Sequence, residues 1–225
     1  MWAIVVAGGV GRRFGGLKQL LPLAGAPVAY WSIRAARTVA DGVVLVVPSG
    51  SCTGPVDGMP APGATGDAAF GATSVVAGGA TRAESVRAGL AVVPEDVGII
   101  VIHDAARPLA SPGLFASVVE AVRSGDVAGV VPVVPVFDTL KQVEGGRVVA
   151  TVDRDLLAAV QTPQAFVADA LRAAHQGGGE ATDDAGLLEA AGLAVGTVEG
   201  DPRNLKLTLP GDLVLAEALL AEVER

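Results

Sequence analysis

A strand-like run over residues 2–7 leads straight into Gly8-Gly9-Val10-Gly11-Arg12-Arg13-Phe14-Gly15-Gly16-Leu17-Lys18. Glycines let a backbone turn tightly and bring bare N–H groups against an anion. Arg12, Arg13 and Lys18 add fixed positive charge. The combination suits a grip on phosphate; an ordinary glycine turn with surface arginines is the plain alternative. Two familiar phosphate loops do not fit. The dinucleotide fingerprint wants a glycine where Phe14 stands and an acid ending the next strand, which here ends in Val47-Pro48. A Walker loop wants Gly-Lys-Ser/Thr, and here Lys18 lies between Leu17 and Gln19. A nucleoside triphosphate loop of another class, with Arg13 and Lys18 reaching the phosphates, remains.

Further along, His103-Asp104-Ala105-Ala106-Arg107-Pro108 follows a buried-type strand. An aspartate at the carboxyl end of a strand is well placed to hold a divalent cation against phosphate oxygens, or else to cap a helix or pair with Arg107. His103 alone reads as structural. Gly78-Gly79 precedes a helix start that carries Ser85, where backbone N–H groups could meet a phosphate or a base edge. Asp138-Thr139-Leu140-Lys141 and Thr151-Val152-Asp153-Arg154 fall on the two arms of a hairpin, where such residues also serve solubility. Gln161-Thr162-Pro163-Gln164 is a polar turn without acid, base or nucleophile, and Lys206 reads equally as a solvated cation. Cys52 has no base nearby and no Gly-x-Ser-x-Gly elbow occurs, so nucleophilic catalysis is unsupported.

Positioning these groups falls to an alternation of strands and helices. Val- and Ile-rich runs predict strands over 2–7, 43–47, 74–77, 99–102, 128–134 and 194–198. Most do not alternate, the pattern of strands buried on both faces. Helices are expected over 28–39 with Pro27 as the first helical residue, 84–93 with Thr81 as cap, 113–123 after Ser111-Pro112, 166–175, 184–191 capped by Thr182, and 212–224. The order implies an α/β, doubly wound, mostly parallel sheet, whose ligands bind outside the carboxyl ends of the strands. Residues 48–71, rich in Gly and Pro, read as a surface connection with a helical turn near 67–70. Residues 136–163 carry a hairpin turning at Glu144-Gly145-Gly146-Arg147. No linker divides the chain, so one domain over 1–225 with a β-arm at about 136–160 is expected.

Composition narrows the partners. The 225 residues are 51% apolar and only 4% aromatic, with a formal net charge of −8. Such a chain is a poor non-specific binder of nucleic acid or anionic membrane, and a phosphate site in it must be a local cationic cluster. One cysteine and two histidines exclude an internal disulfide and a Cys- or His-built metal cage. No signal peptide is evident and no apolar run approaches the ~20 residues of a membrane span, so a cytoplasmic location is expected.

The order of these motifs is more specific than any one of them. Ala-Gly-Gly-x-Gly-x-Arg with Lys18-Gln19, Gly-Gly-x-x-Arg-x-x-Ser-Val, His-Asp-Ala-Ala-Arg-Pro, Asp-Thr-x-Lys, Val-Asp-Arg, Gln-Thr-Pro-Gln-x-Phe, Thr-Asp-Asp and Asn-x-Lys-x-Thr resemble the 2-C-methyl-D-erythritol 4-phosphate cytidylyltransferases. The resemblance implies a Rossmann-like nucleotidyltransferase fold. It also implies transfer of CMP from CTP to methylerythritol 4-phosphate in the non-mevalonate isoprenoid pathway, a magnesium ion, and a homodimer joined through the arms. By matching position, Arg13 and Lys18 would stabilise charge on the transferring phosphate, and Arg154, from across the dimer, and Lys206 would position the acceptor. Ala7, Gly8, Gly79 and Ser85 would meet cytosine and ribose. Gly9, Gly11, Arg82, Ala105 and Arg107 would complete the substrate contacts, Thr139 would touch the acceptor phosphate, and Asp104 would bind both substrate and Mg2+. Leu17 stands where the family usually has proline, Ala80 where some members have a polar cytidine contact, and Arg203 where some have an acid. A cytidylyltransferase for another polyol phosphate, such as ribitol 5-phosphate, and a non-catalytic nucleotide sensor are the competing expectations.

Overall fold

A computed structural model describes residues 1–9, 14, 16–48, 58, 60–179 and 181–223. Arg12, Arg13, Gly11 and Cys52 therefore lie outside the described residues. In chain order the elements are β1 (Trp2–Val6), the small hairpin β2 (Pro22–Leu23) and β3 (Ala26–Pro27), α1 (Val28–Ala36), β4 (Gly42–Val47), β5 (Ser74–Ala77), α2 (Arg82–Leu90), β6 (Ile99–Asp104), α3 (Pro112–Ser124) and β7 (Gly129–Pro135). They continue with β8 (Leu140–Glu144), β9 (Arg147–Val152), β10 (Ala158–Val160), β11 (Gln164–Val167), α4 (Ala168–Gln176), α5 (Asp184–Ala190), β12 (Val195–Glu199) and α6 (Gly211–Val223).

Among the described residues, eight strands form the central sheet. β5, β4, β1 and β6 run parallel side by side. β11 lies antiparallel between β6 and β7, and β12 pairs parallel with β7. The inner strands are apolar on both faces because both faces are covered: all six residues of β4 are buried. Side chains still alternate. Ala3 and Val5 pack with α1 and α3 residues such as Ile33 and Phe115, whereas Ile4 packs with Val86 of α2, Leu171 of α4 and Leu188 of α5. A third cluster joins α6 to Leu23, Val28 and Leu207.

From β1 the chain winds outward to β4 and β5, then returns to β6 on the other side of β1. The winding reverses between β1 and β6, where open α/β sheets bind ligands. Register brings the strand ends level there, since Val6 lies opposite both Val46 and Asp104.

Local chemistry sets the helix starts. Thr81 and Glu84 form a full capping box on α2, and Ser111 caps α3 ahead of Pro112. Three expectations need correction. Pro27 is the cap of α1, with Val28 the first helical residue. Asp183, not Thr182, caps α5 by accepting from Gly186 N–H at 3.1 Å. The helix expected over 166–175 begins only at Ala168, because Gln164–Val167 is drawn into the sheet as β11 and Phe166 is fully buried. Tertiary pairing overrides a four-residue run with little β-branching of its own.

The hairpin β8–β9 stands apart from the main sheet as a two-stranded ribbon. Its turn uses positive φ at both Gly145 (55°) and Gly146 (75°), as a tight two-residue connection requires. Around the arm, Phe137 is 75% exposed, Val148 63% and Leu156 85%. Among the described residues no helix is long and apolar enough to cross a membrane.

Candidate active site

Three chain segments converge at the carboxyl ends of β1, β5 and β6. Ala7 leaves β1 with its N–H donating to the Val46 carbonyl at 2.8 Å. Gln19, buried, cinches the described part of the glycine loop: its Nε2 donates to the carbonyls of Ala7 at 2.8 Å and Gly9 at 3.1 Å. Leu17 has φ of −74°, within proline's range, so its backbone is already set as the usual proline would set it.

After β5, Gly78 and Gly79 pass close over the start of α2. A Cβ on Gly78 would lie 2.6 Å from Ser85 Oγ, and one on Gly79 2.2 Å from the Glu84 Cβ. Only glycine permits this approach. The Ser85 hydroxyl accepts from Gly79 N–H at 3.2 Å and donates to the Thr81 carbonyl at 2.9 Å, fixing the turn.

Asp104 ends β6 and is the centre of the charge arrangement. Its Oδ2 accepts from Lys206 Nζ at 2.7 Å and its Oδ1 from Arg82 Nε at 3.3 Å. Burial alone would raise the carboxyl's pKa, but Arg82 and then Lys206 outweigh it and hold Asp104 well below the usual carboxylate range. Arg82 also donates from Nη1 to Asp184 Oδ2 at 2.7 Å. Burial would lower the guanidinium pKa, but Asp184 and Asp104 together raise it.

A polar interlock holds Lys206 at this carboxylate. Asn204 Nδ2 donates to the Thr162 carbonyl at 2.9 Å, and Gln161 exchanges hydrogen bonds with the Asp201 backbone at 2.9 and 3.1 Å. Arg107 Nη1 donates to the Asn204 carbonyl at 2.7 Å. Lys18 Nζ donates to the Leu207 carbonyl, tying the glycine-loop segment to the same stretch. The turn at Gln161-Thr162 thus has no chemistry of its own but anchors a cation. Its pattern was visible in the sequence; its partner, forty residues on, was not.

His103 is fully buried beside Phe115 and bonded to Thr162 and the Arg107 carbonyl. Burial pushes its pKa down to about 4. It is a neutral structural group at neutral pH, not a general base. The folded chain refuses a proton that the unfolded chain accepts below about 6.5, so this residue's contribution is lost as pH falls from about 6.5 to 4. Wild type is expected to lose about 3 kcal/mol over that window relative to His103→Gln. Urea melts of both proteins across the window check this, and parallel stability curves would refute it.

The structure brings together Ala7, Gly8, Gly79, Arg82, Ser85, Asp104 and Ala105 at the strand ends, with Lys206 on Asp104. Lys18 and Arg107 meet the segment that carries Lys206. Thr139 and Arg154 are exposed on the arm, where Arg154 donates to the Phe137 carbonyl. Among the described residues no hydrogen bond or ion pair joins them to the Asp104 cluster. Gly11 and Arg13 lie outside the described residues.

The donor set constrains any metal. Among the described residues no group of three or more His, Cys, Asp or Glu side chains could cage an ion. A lone ionised carboxylate fits Mg2+ carried chiefly by a triphosphate, since that ion commonly keeps one protein carboxylate, phosphate oxygens and water. It does not fit an all-protein cage.

The 2-C-methyl-D-erythritol 4-phosphate cytidylyltransferase family model matches residues 1–222. The chain belongs to that family. It is an enzyme of the nucleotidyltransferase class. A family member from Frankia casuarinae is 46% identical, over 99% of this chain and 82% of its own. One from Nocardia farcinica is 44% identical, over 97% of this chain and 93% of its own. The crystal structure of the Thermus thermophilus member superposes with a TM-score of 0.77 at 36% identity, covering 98% of both chains. The α/β sheet expected from the strand–helix order, and the nucleotidyltransferase fold implied by the resemblance, are therefore those of the family.

Proposed function

We propose that this chain transfers CMP from CTP to 2-C-methyl-D-erythritol 4-phosphate, giving 4-diphosphocytidyl-2-C-methyl-D-erythritol and pyrophosphate, in isoprenoid precursor synthesis. The acceptor phosphate is anionic at neutral pH and needs no general base. Its oxygen attacks the α-phosphorus; the bond from that phosphorus to the β-phosphate oxygen breaks, and pyrophosphate leaves with the electron pair. Catalysis is then positioning and charge stabilisation. The observation that carries this reading is the contact of Lys18 with Leu207, 189 residues away, which joins two cations of distant origin, Lys18 and the Lys206 that pairs with Asp104, through one segment. Sensing a nucleotide would need only the first of them.

In this reading Arg13 and Lys18 stabilise the α-phosphate, while Lys206 and Arg154 position the acceptor and Thr139 touches its phosphate. The strand-end glycines, Ser85, Arg82, Ala105 and Arg107 form the nucleotide side. Asp104 would hold Mg2+, which when bound neutralises triphosphate charge. The exposed apolar arm supports a homodimer, because a patch of this kind marks an interaction surface. Residues 1–225 would form one catalytic unit, acting in the cytoplasm on small charged substrates.

Pyrophosphate release from CTP and Mg2+ with each of several polyol phosphates tests the reading. Release with the methylerythritol phosphate supports it, release with ribitol 5-phosphate alone selects another acceptor, and CTP binding without turnover selects a sensor. For the arm, Arg154→Ala is expected to raise the acceptor KM with CTP binding little altered. Mixed with Lys18→Ala protomers, it should recover activity after subunit exchange, and no recovery would rule out a site shared between protomers.

A further inference from the structure

The Thr182-Asp183-Asp184 run does more than start a helix. Asp184 is 1% exposed, and its two oxygens have different partners. Oδ2 accepts from Arg82 Nη1 at 2.7 Å, and Oδ1 faces His175 Nε2 at 2.9 Å. His175 is itself buried near the end of α4. Arg82 reaches Asp104 only through Nε, at the longer distance of 3.3 Å. The guanidinium is thus held more tightly from behind than from the site. Its remaining nitrogen, Nη2, is buried and has no hydrogen-bond partner among the described residues.

Freed from Asp184, an arginine beside a carboxylate would close on it in the bidentate fork that this pair prefers. Both Asp104 oxygens would then be drawn to Arg82, in competition with Lys206 and with any cation. We propose that Asp184, backed by His175, is a positioning residue for the nucleotide half of the site. It holds Arg82 so that only Nε reaches Asp104 Oδ1, leaving Oδ2 to Lys206 and keeping the carboxylate from being closed off on the nucleotide side. The proposal rests on the CTP reading above. It gives Asp184 a role through Arg82 alone.

Calorimetric binding of CTP with Mg2+, without acceptor, to wild type, Asp184→Asn, Arg82→Ala and the double variant provides the test. Asp184→Asn is expected to weaken CTP about tenfold, with the acceptor KM unchanged. The double variant should bind no more weakly than Arg82→Ala alone. A further loss of similar size in the double variant would show that Asp184 acts independently of Arg82 and would overturn the proposal. If Asp184→Asn does not melt cooperatively, His175→Leu replaces it, with about a threefold loss expected and the same dependence on Arg82. A wild type that binds no CTP would defeat the nucleotide reading itself, and the proposal with it.

Discussion

Asp104→Ala is expected to lower turnover by about 10²–10³-fold, the scale of losing one charge-stabilising contact at a reacting phosphate. The carboxylate sits between Lys206 and Arg82 and stays ionised throughout the working pH range. Its removal takes away the group that would hold a cation and leaves two positive side chains facing each other. Breaking a buried pair can cost 3–5 kcal/mol, but Lys206 is 44% exposed and water screens it, so a stability loss of about 1–3 kcal/mol is expected here. Asp104→Asn, which preserves shape, separates the two effects. It should retain most of the stability and little of the turnover. Single-turnover rates and thermal melts read each, and turnover within tenfold of wild type in either variant would remove Asp104 from the chemistry.

Lys18→Ala should cost about 10²-fold or more in kcat, for two reasons. The variant loses a point charge expected at the α-phosphate, and it loses the link from Nζ to the Leu207 carbonyl. Lys18→Arg keeps the charge but replaces a compact ammonium with a planar fork, so only part of the rate should return. A near-wild-type kcat in Lys18→Ala would remove Lys18 from the transfer step.

Much of this is legible in the sequence. Runs such as Gly42–Val47 announce a doubly covered strand because every position is apolar, and Ser111-Pro112 announces a helix start by its own chemistry. Asp104 was legible for the same reason, as an acid directly after a buried strand. What local pattern could not show was partnership across distance. Gln164–Val167 is a strand only because β6 and β7 flank it. Asp184 stands in the sequence only as the start of the helix expected over 184–191, yet it faces inward to Arg82 from 102 residues away. Gln19 stands in the sequence only as the neighbour of Lys18, and the fold shows it bonded to Ala7 and Gly9.

The span between Lys18 and Leu207 also bears on the order of synthesis. The glycine loop, Arg82 and Asp104 emerge from the ribosome well before the stretch that carries Lys206. Until that stretch docks through Asn204 and Gln161, the carboxylate lacks its second cation and the loop lacks its tie. Transfer is therefore expected only once that stretch is in place, and a chain clipped before it is expected to lack both Lys206 at the carboxylate and the tie from Lys18.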